Sequence, residues 1–150
     1  MKNSLSILLI LFISNCNPKQ NFPNVQGYLN QVDSELLNQN VKNIVYVPFD
    51  ACNSCVHGII SFVSENPSVL DKNLFILVKF NSLKSYKIKY GQEIFDHQNM
   101  VFDSGTKYFD FNFKFNSPVL LKLKKGTFVV EGEILLEPQD YMFHLENNLL

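Results

Sequence analysis

The order of apolar runs along the chain predicts strands alternating with helices. Ile44 to Phe49 and Leu74 to Phe80 are continuous apolar runs, which are typical of strands buried on both faces of a sheet. Between them, apolar residues recur at helical spacing from Val56 to Val63, and Glu65-Asn66-Pro67 ends that helix. A strand, a helix and a second strand in this order predict a parallel crossover in an α/β sheet.

Shorter patterns extend this prediction in both directions. Asp33 is expected to cap a short helix before the first strand, Ser82 to Tyr90 to form a weaker helix, and Met100 to Asp103 a short strand. The segment from Tyr108 to Phe115 alternates aromatic and polar residues. That pattern fits a half-buried strand, although a short helix or an ordered loop is equally compatible with its position.

The end of the chain predicts a hairpin followed by a helix. Val119 to Leu123 and Thr127 to Glu131 flank Lys124-Lys125-Gly126, which is a signal for an antiparallel hairpin. Glu137-Pro138 then predicts the start of a terminal helix with proline in its first turn. The residues of this helix that are available for burial are Tyr141, Phe143, Leu145 and Leu149.

The N-terminal pattern predicts export and lipid anchoring. Met1-Lys2-Asn3 is a short positive start, and the apolar stretch from Leu5 to Ile13 has the length of a signal peptide. Phe12-Ile13-Ser14-Asn15-Cys16 resembles a bacterial lipobox, in which the cysteine is lipidated and becomes the first mature residue. An ordinary signal peptide and an uncleaved anchor are the alternatives. Asn17 lacks the acidic signal that holds many lipoproteins at the inner membrane, which favours the outer membrane. The expected organisation is a signal peptide over 1–15, a tether over 16–27 and a folded domain over 28–150.

Composition narrows the possible functions. Without the signal peptide about 135 residues remain, enough for one domain with a single core. The net charge is −1 and the chain contains no arginine, so the basic footprint of a nucleic-acid-binding protein is absent. Fourteen Phe and six Tyr supply the bulky core in a chain without Trp. Nucleic acid is therefore not an expected partner.

The candidate chemistry lies in Cys52-Asn53-Ser54-Cys55, directly after the first predicted strand. Two cysteines three positions apart on the first turn of a helix share one face and can form a disulfide. Unpaired backbone N–H groups and the helix dipole stabilise the thiolate of Cys52, the form that attacks a disulfide. The bacterial envelope permits disulfides, so an exported pair can be stable or can cycle.

Other interpretations of the cysteine pair remain open. A structural zinc site needs two more ligands, and the only candidates are His57, His97 and His144; haem attachment needs a histidine directly after the second cysteine, where Val56 stands. No metal site is therefore expected. A permanently oxidised, purely stabilising disulfide is the stronger alternative. His57 is either an ordinary helix-face residue or a group that stabilises the Cys52 thiolate.

The position of the cysteine pair and of Ser117-Pro118-Val119 before a hairpin resembles the thioredoxin-like superfamily, and within it the small exported lipoproteins of the thiol-disulfide oxidoreductase branch. The resemblance implies an α/β three-layer sandwich with a central mixed sheet flanked by helices. It implies that Cys52 attacks and Cys55 resolves. It further implies that Pro118 follows a cis bond and lies against the cysteines, and that Ser117 offers backbone groups to a substrate.

Two family positions differ in this chain. The family usually has Trp before the first cysteine, where Ala51 stands, and Phe49 and Asp50 are expected to line the site instead. The buried acid of thioredoxins falls on Tyr46, so no base is identified.

The expected function is thiol-disulfide exchange on envelope proteins, without a cofactor and with a redox partner protein. The expected location is the cell envelope, facing the periplasm, with membrane contact through the lipid anchor only. The alternative is a non-catalytic lipoprotein of the same fold with a structural disulfide, serving as a binding or scaffold module.

Overall fold

The computed structural model describes residues 22–38, 40–80, 82–104, 107–111, 113 and 115–150. The predicted signal peptide, Cys16 and the first half of the predicted tether lie outside these residues. The helices are α1 (Val25–Val32), α2 (Asn53–Glu65), α3 (Lys84–Tyr90), α4 (Gln92–Phe95), α5 (Lys107–Asp110) and α6 (Tyr141–Leu149), with 3-10 helices at Ser34–Asn38 and Pro67–Asp71. The strands are β1 (Asn43–Pro48), β2 (Asn73–Val78), β3 (Met100–Asp103), β4 (Val119–Leu123) and β5 (Val130–Leu135).

The described strands form one mixed sheet in the order β3-β2-β1-β4-β5. β1 pairs in parallel with β2, with Asn43 opposite Asn73, and antiparallel with β4, with Tyr46 opposite Val119. β3 adds to β2 in parallel, and β5 adds to β4 antiparallel with a register irregularity at Lys122/Leu123. The predicted parallel crossover is confirmed. The antiparallel hairpin is confirmed as well, but its second strand begins at Val130 and not at Thr127.

Helices cover both faces of the sheet because alternate residues of each central strand point to opposite sides. Val45 and Val47 of β1 pack in the core formed with α2 and α6. Ile44 and Tyr46 of the same strand pack in a second core with α1 and the residues around Tyr108. All six residues of β1 and of β2 are buried, as their uninterrupted apolar pattern predicted. The predicted α/β fold with three layers is confirmed.

The N-terminal part differs from the sequence prediction. α1 begins at Val25, inside the segment assigned to the tether, and buries Val25, Tyr28 and Leu29 against the sheet. Asn24 caps this helix, accepting a hydrogen bond from the Gly27 N–H at 2.9 Å. The next helix is a 3-10 helix over Ser34–Asn38, with the Asp33 carboxylate accepting from the Glu35 N–H at 3.0 Å.

Two later segments also differ. The aromatic segment begins with the short helix α5, so its alternating pattern does not make a strand there. The last helix begins at Tyr141, three residues after the predicted proline, and buries Leu145 and Leu149. Phe143 is 64% exposed and the expectation that it is buried was wrong. No helix among the described residues is long and apolar enough to cross a membrane.

A short chain of buried asparagines fixes the amino ends of the two central strands. The Asn43 amide donates to Asn73 Oδ1 at 2.8 Å and to the Asn148 carbonyl of α6 at 3.2 Å. Asn73 in turn donates to the Val69 carbonyl at 2.7 Å. Because an unpaired buried amide costs free energy, these bonds fix the position of α6 relative to β1 and β2.

Tyr28 and Tyr46 are two fully buried phenols in different situations. The Tyr28 hydroxyl donates to Asp103 Oδ2 at 2.9 Å, linking α1 to the carboxyl end of β3. Burial, followed by the neighbouring Asp103 carboxylate, raises the pKa of Tyr28 far above its ordinary value, so the phenol remains a donor. The Tyr46 hydroxyl has no hydrogen-bond partner among the described residues.

We expect Tyr28→Phe to lower the free energy of unfolding by about 1–3 kcal/mol, because Asp103 loses a buried donor. Tyr46→Phe is the matched control, since it removes a hydroxyl without a described partner, and it should change stability by less than about 0.5 kcal/mol or stabilise. Urea unfolding of both variants measures the difference. Equal losses in the two variants would show that the Tyr28–Asp103 bond does not hold α1 in place.

Candidate active site

The cysteine pair lies at the carboxyl end of β1, where the chain leaves the sheet. The Phe49 N–H still donates to the Val78 carbonyl of β2 at 2.9 Å, and the Ala51 N–H then turns back to the Pro48 carbonyl at 3.1 Å. Asp50 Oδ2 pairs with Lys79 Nζ at 2.6 Å, which joins the ends of β1 and β2. This turn leads directly into α2 and fixes where its first residues lie.

Cys52 is the N-cap of α2. Its sulfur accepts a hydrogen bond from the Cys55 N–H at 3.3 Å, and the Ser54 Oγ lies 3.0 Å from it. Cys52 is half-buried, Cys55 is fully buried, and both are present as free thiols. The first sulfur therefore occupies the place where a helix offers its unpaired N–H groups, and the second lies beneath it.

The two thiols have opposite pKa shifts. Hydrogen bonds from Cys55, followed by Ser54 and the Cys55 backbone, hold the pKa of Cys52 below its ordinary value. Burial, followed by the hydrogen bond to Cys52 and the charge on Cys52, raises the pKa of Cys55 to about 12. At neutral pH, the Cys52 thiol thus loses its proton more readily and the Cys55 thiol keeps its proton.

Ser54 is a site residue that the sequence interpretation did not single out. Its hydroxyl is placed beside the Cys52 sulfur because both residues belong to the first turn of α2. Serine at the second helical position is a common turn and cap residue, so the sequence alone gave no reason to connect it with the thiol. The contact between the Ser54 hydroxyl and the Cys52 sulfur depends on the rotamers of both side chains, which the sequence does not specify.

Aromatic side chains surround the turn that precedes Cys52. Phe49 lies 5.1 Å from the Tyr86 ring, centroid to centroid, and 6.4 Å from the Phe80 ring. His57 stacks on Tyr86 at 5.1 Å, and its Nδ1 lies 3.0 Å from the Tyr90 hydroxyl. Phe49 lies beside the site as expected. Among the described contacts, His57 binds α3 and makes none to Cys52, which favours the helix-face interpretation.

Pro118 directly precedes β4, and its peptide bond differs from the one that the resemblance implies. Val119, the next residue, lies opposite Tyr46, so Ser117 and Pro118 precede β4 at the same end of the sheet as the cysteines. Pro118 is buried and its carbonyl accepts from the Leu136 N–H at 2.8 Å. No described peptide bond is cis, so the implied cis Ser117–Pro118 bond was wrong. The trans isomer of an X–Pro bond has the lower energy. The hydrogen bond from the Leu136 N–H to the Pro118 carbonyl forms with this isomer.

Tyr46 is the residue on which the resemblance to thioredoxins places a buried acid. Burial, followed by nearby Tyr108 and Asp103, raises the pKa of this phenol far above its ordinary value. It therefore stays neutral and supplies no base to Cys55. Among the described residues, no three His, Cys, Asp or Glu side chains are grouped to hold a metal ion.

We expect Ser54→Ala to raise the pKa of Cys52, because the variant lacks a hydroxyl donor to the thiolate. If that bond is worth about 1 kcal/mol, the reduction potential of the pair falls by about 20 mV, since a less stable thiolate favours the disulfide. The rate of Cys52 alkylation against pH and a glutathione redox titration measure the two effects. Asn53→Ala is the control, because Asn53 is exposed and makes no described contact with either sulfur. An identical pH profile in the two variants would contradict the role of Ser54.

A scan against protein-family models and a search of curated proteins gave no match to this chain.

Proposed function

We propose that this chain is a lipid-anchored thiol-disulfide oxidoreductase of the thioredoxin-like superfamily, acting on proteins of the bacterial envelope. The observation that carries the proposal is the asymmetry of the cysteine pair. Cys52 is accessible with a lowered pKa at the N-terminus of α2, and Cys55 is buried with a pKa of about 12. One accessible thiolate above one protected thiol is the arrangement that disulfide exchange requires.

The proposed reaction begins with attack of the Cys52 thiolate on one sulfur of a substrate disulfide. The substrate S–S bond breaks, a mixed disulfide forms, and the other substrate sulfur leaves as a thiolate that takes up a proton. Cys55 then loses its proton and attacks the Cys52 sulfur, which releases the second substrate sulfur as a thiol. The substrate disulfide has gained two electrons and two protons, and Cys52–Cys55 has become a disulfide. Oxidation of a substrate dithiol is the same sequence in reverse.

The second step does not depend on a buried acid. Of the three influences that raise the pKa of Cys55, two come from Cys52: the hydrogen bond to its sulfur and its negative charge. Both change once Cys52 is bonded to the substrate, because a disulfide sulfur carries no charge and is a weaker acceptor. The pKa of Cys55 therefore falls in the mixed disulfide, at the moment when its thiolate is needed.

A non-catalytic lipoprotein with a structural disulfide is the second candidate. The trans Ser117–Pro118 bond and the neutral phenol at Tyr46 favour it, because both depart from the family's catalytic pattern. In this case the protein is a binding or scaffold module, and its cysteines remain paired.

The two candidates differ in chemistry that can be measured. We expect the purified protein to catalyse the reduction of insulin disulfides by dithiothreitol. The Cys52→Ala variant should lack this activity. Cys55→Ala should instead accumulate a mixed disulfide with the substrate, because the resolving thiol is missing. Non-reducing electrophoresis and the reduction potential of the pair complete the test. No turnover, no trapped substrate and a potential below about −300 mV would establish the structural disulfide instead.

The lipid anchor is tested separately at Cys16. We expect Cys16→Ser to abolish fatty-acid labelling of the protein in cells, because the acyl chain needs the cysteine sulfur. Cys52→Ser is the matched control and should leave the labelling unchanged. Labelling that persists in Cys16→Ser, or is absent from the unaltered protein, would overturn the lipoprotein assignment.

A further inference from the structure

Five lysines gather at the end of the sheet opposite the cysteines. Lys42 and Lys72 precede β1 and β2, and the Lys42 N–H donates to the Lys72 carbonyl at 2.7 Å. Lys122 lies opposite Asn43, the first residue of β1, and Lys124 and Lys125 begin the turn of the β4–β5 hairpin. We call this group the lysine pole: Lys42, Lys72, Lys122, Lys124 and Lys125.

The lysine pole presents uncompensated charge. Four of its five residues are exposed and Lys122 is half-buried. Among the described residues none of the five forms an ion pair, whereas Lys79 and Lys87 pair with Asp50 and Asp96. Lys42, Lys72, Lys122 and Lys125 line one open depression, which contains a single acidic side chain, Glu131. Such a surface attracts a polyanion.

The described chain begins beside this pole. Phe22, Pro23 and Asn24 share a surface depression with Phe128, Val129 and Val130 of the hairpin. Val129 is 57% exposed, so an apolar side chain lies next to the lysines of the same hairpin. The chain between Cys16 and Phe22 spans at most about 20 Å even when fully extended. A lipid on Cys16 therefore holds the hairpin within about 20 Å of the membrane surface.

We propose that the lysine pole binds the headgroups of anionic phospholipids in the membrane that carries the anchor. This inference rests on the lipid anchor of the proposed function. It replaces the expectation that membrane contact is through the lipid anchor only. The anionic surface attracts lysines that lie within about 8 Å of it at physiological salt. β1 separates the pole from the cysteine turn by about 20 Å, so the bound protein presents Cys52 away from the bilayer.

A lipid surface fits these lysines better than a folded acidic protein or a nucleic acid. Arginine binds a phosphate or a carboxylate through two parallel hydrogen bonds of fixed geometry, and the chain has no arginine. Lysine instead carries a point charge on a flexible side chain. Anionic headgroups are mobile and need no fixed geometry. The nearby exit of the anchored chain also places the pole, and not the cysteine end, against the bilayer.

The test is acetylation of individual lysines in the acylated protein, purified from cells and reconstituted in vesicles of phosphatidylcholine with or without phosphatidylglycerol. We expect the five pole lysines to react several-fold more slowly when phosphatidylglycerol is present, and high salt to remove this protection. Lys84 and Lys89 of α3 are internal controls and should react equally on both vesicles. Equal reactivity of the pole lysines on both vesicles would overturn the proposal. Protection that appears only when an acidic protein is added would overturn it in favour of a protein partner.

Charge reversal supplies the matched variants. Lys124→Glu with Lys125→Glu changes two exposed side chains and should abolish the protection of Lys42, Lys72 and Lys122. Lys84→Glu with Lys89→Glu should leave it intact. Fatty-acid labelling and insulin reduction are measured on the same preparations. Loss of insulin reduction with labelling and protection retained overturns the proposed exchange reaction alone, whereas unprotected lysines in a labelled, active protein overturn this inference alone.

Discussion

The structure depends on one strand that is buried on both faces. β1 pairs with β2 on one side and β4 on the other, and its alternate residues fill the two cores. Such a strand has little freedom to shift, because a slip by one residue would exchange the two cores. Its carboxyl end therefore fixes the turn at Phe49 to Ala51 and, through it, the first residue of α2. The position of Cys52 follows from the packing of β1.

The amphipathic character of α2 decides which cysteine is exposed. Cys55, Ile59 and Val63 lie on the helix face that packs against the sheet, and all three are fully buried. Cys52 precedes the first turn, where the helix has N–H groups to offer and no sheet above it. The difference in pKa between the two thiols is thus a consequence of helix packing, to which Ser54 adds a local contribution.

The sequence predicts the bounds of helices and strands most accurately where the buried residues form a long, regular pattern. β1, β2 and α2 have long patterns that admit one interpretation, and their bounds agree with the structure within about two residues. α1 was missed because its apolar residues Val25, Tyr28 and Leu29 lie in a polar stretch beside a predicted tether. Helical spacing explains Phe143: Tyr141, Leu145 and Leu149 are four residues apart, and Phe143 lies on another face.

The candidate site was predictable in outline and not in its contacts. The spacing of the cysteines after a buried strand was sufficient to place Cys52 at a helix N-terminus. The hydroxyl of Ser54, the stacking of His57 on Tyr86 and the trans bond before Pro118 depend on side-chain rotamers and on contacts distant in sequence. Local patterns carry little information about such choices, since several isomers and rotamers are compatible with the same residues.

The two edge strands of the sheet, β5 and β3, determine how readily this protein pairs with other chains. Unfolded chains present extended segments, and an open sheet edge is a template for pairing with them. Exposed Glu131 and Glu133 place negative charge along β5, and the irregular register beside Lys122 distorts its pairing with β4. At the opposite edge, β3 is only four residues long. Both edges are thus poor templates for strand addition, which disfavours co-aggregation with misfolded chains.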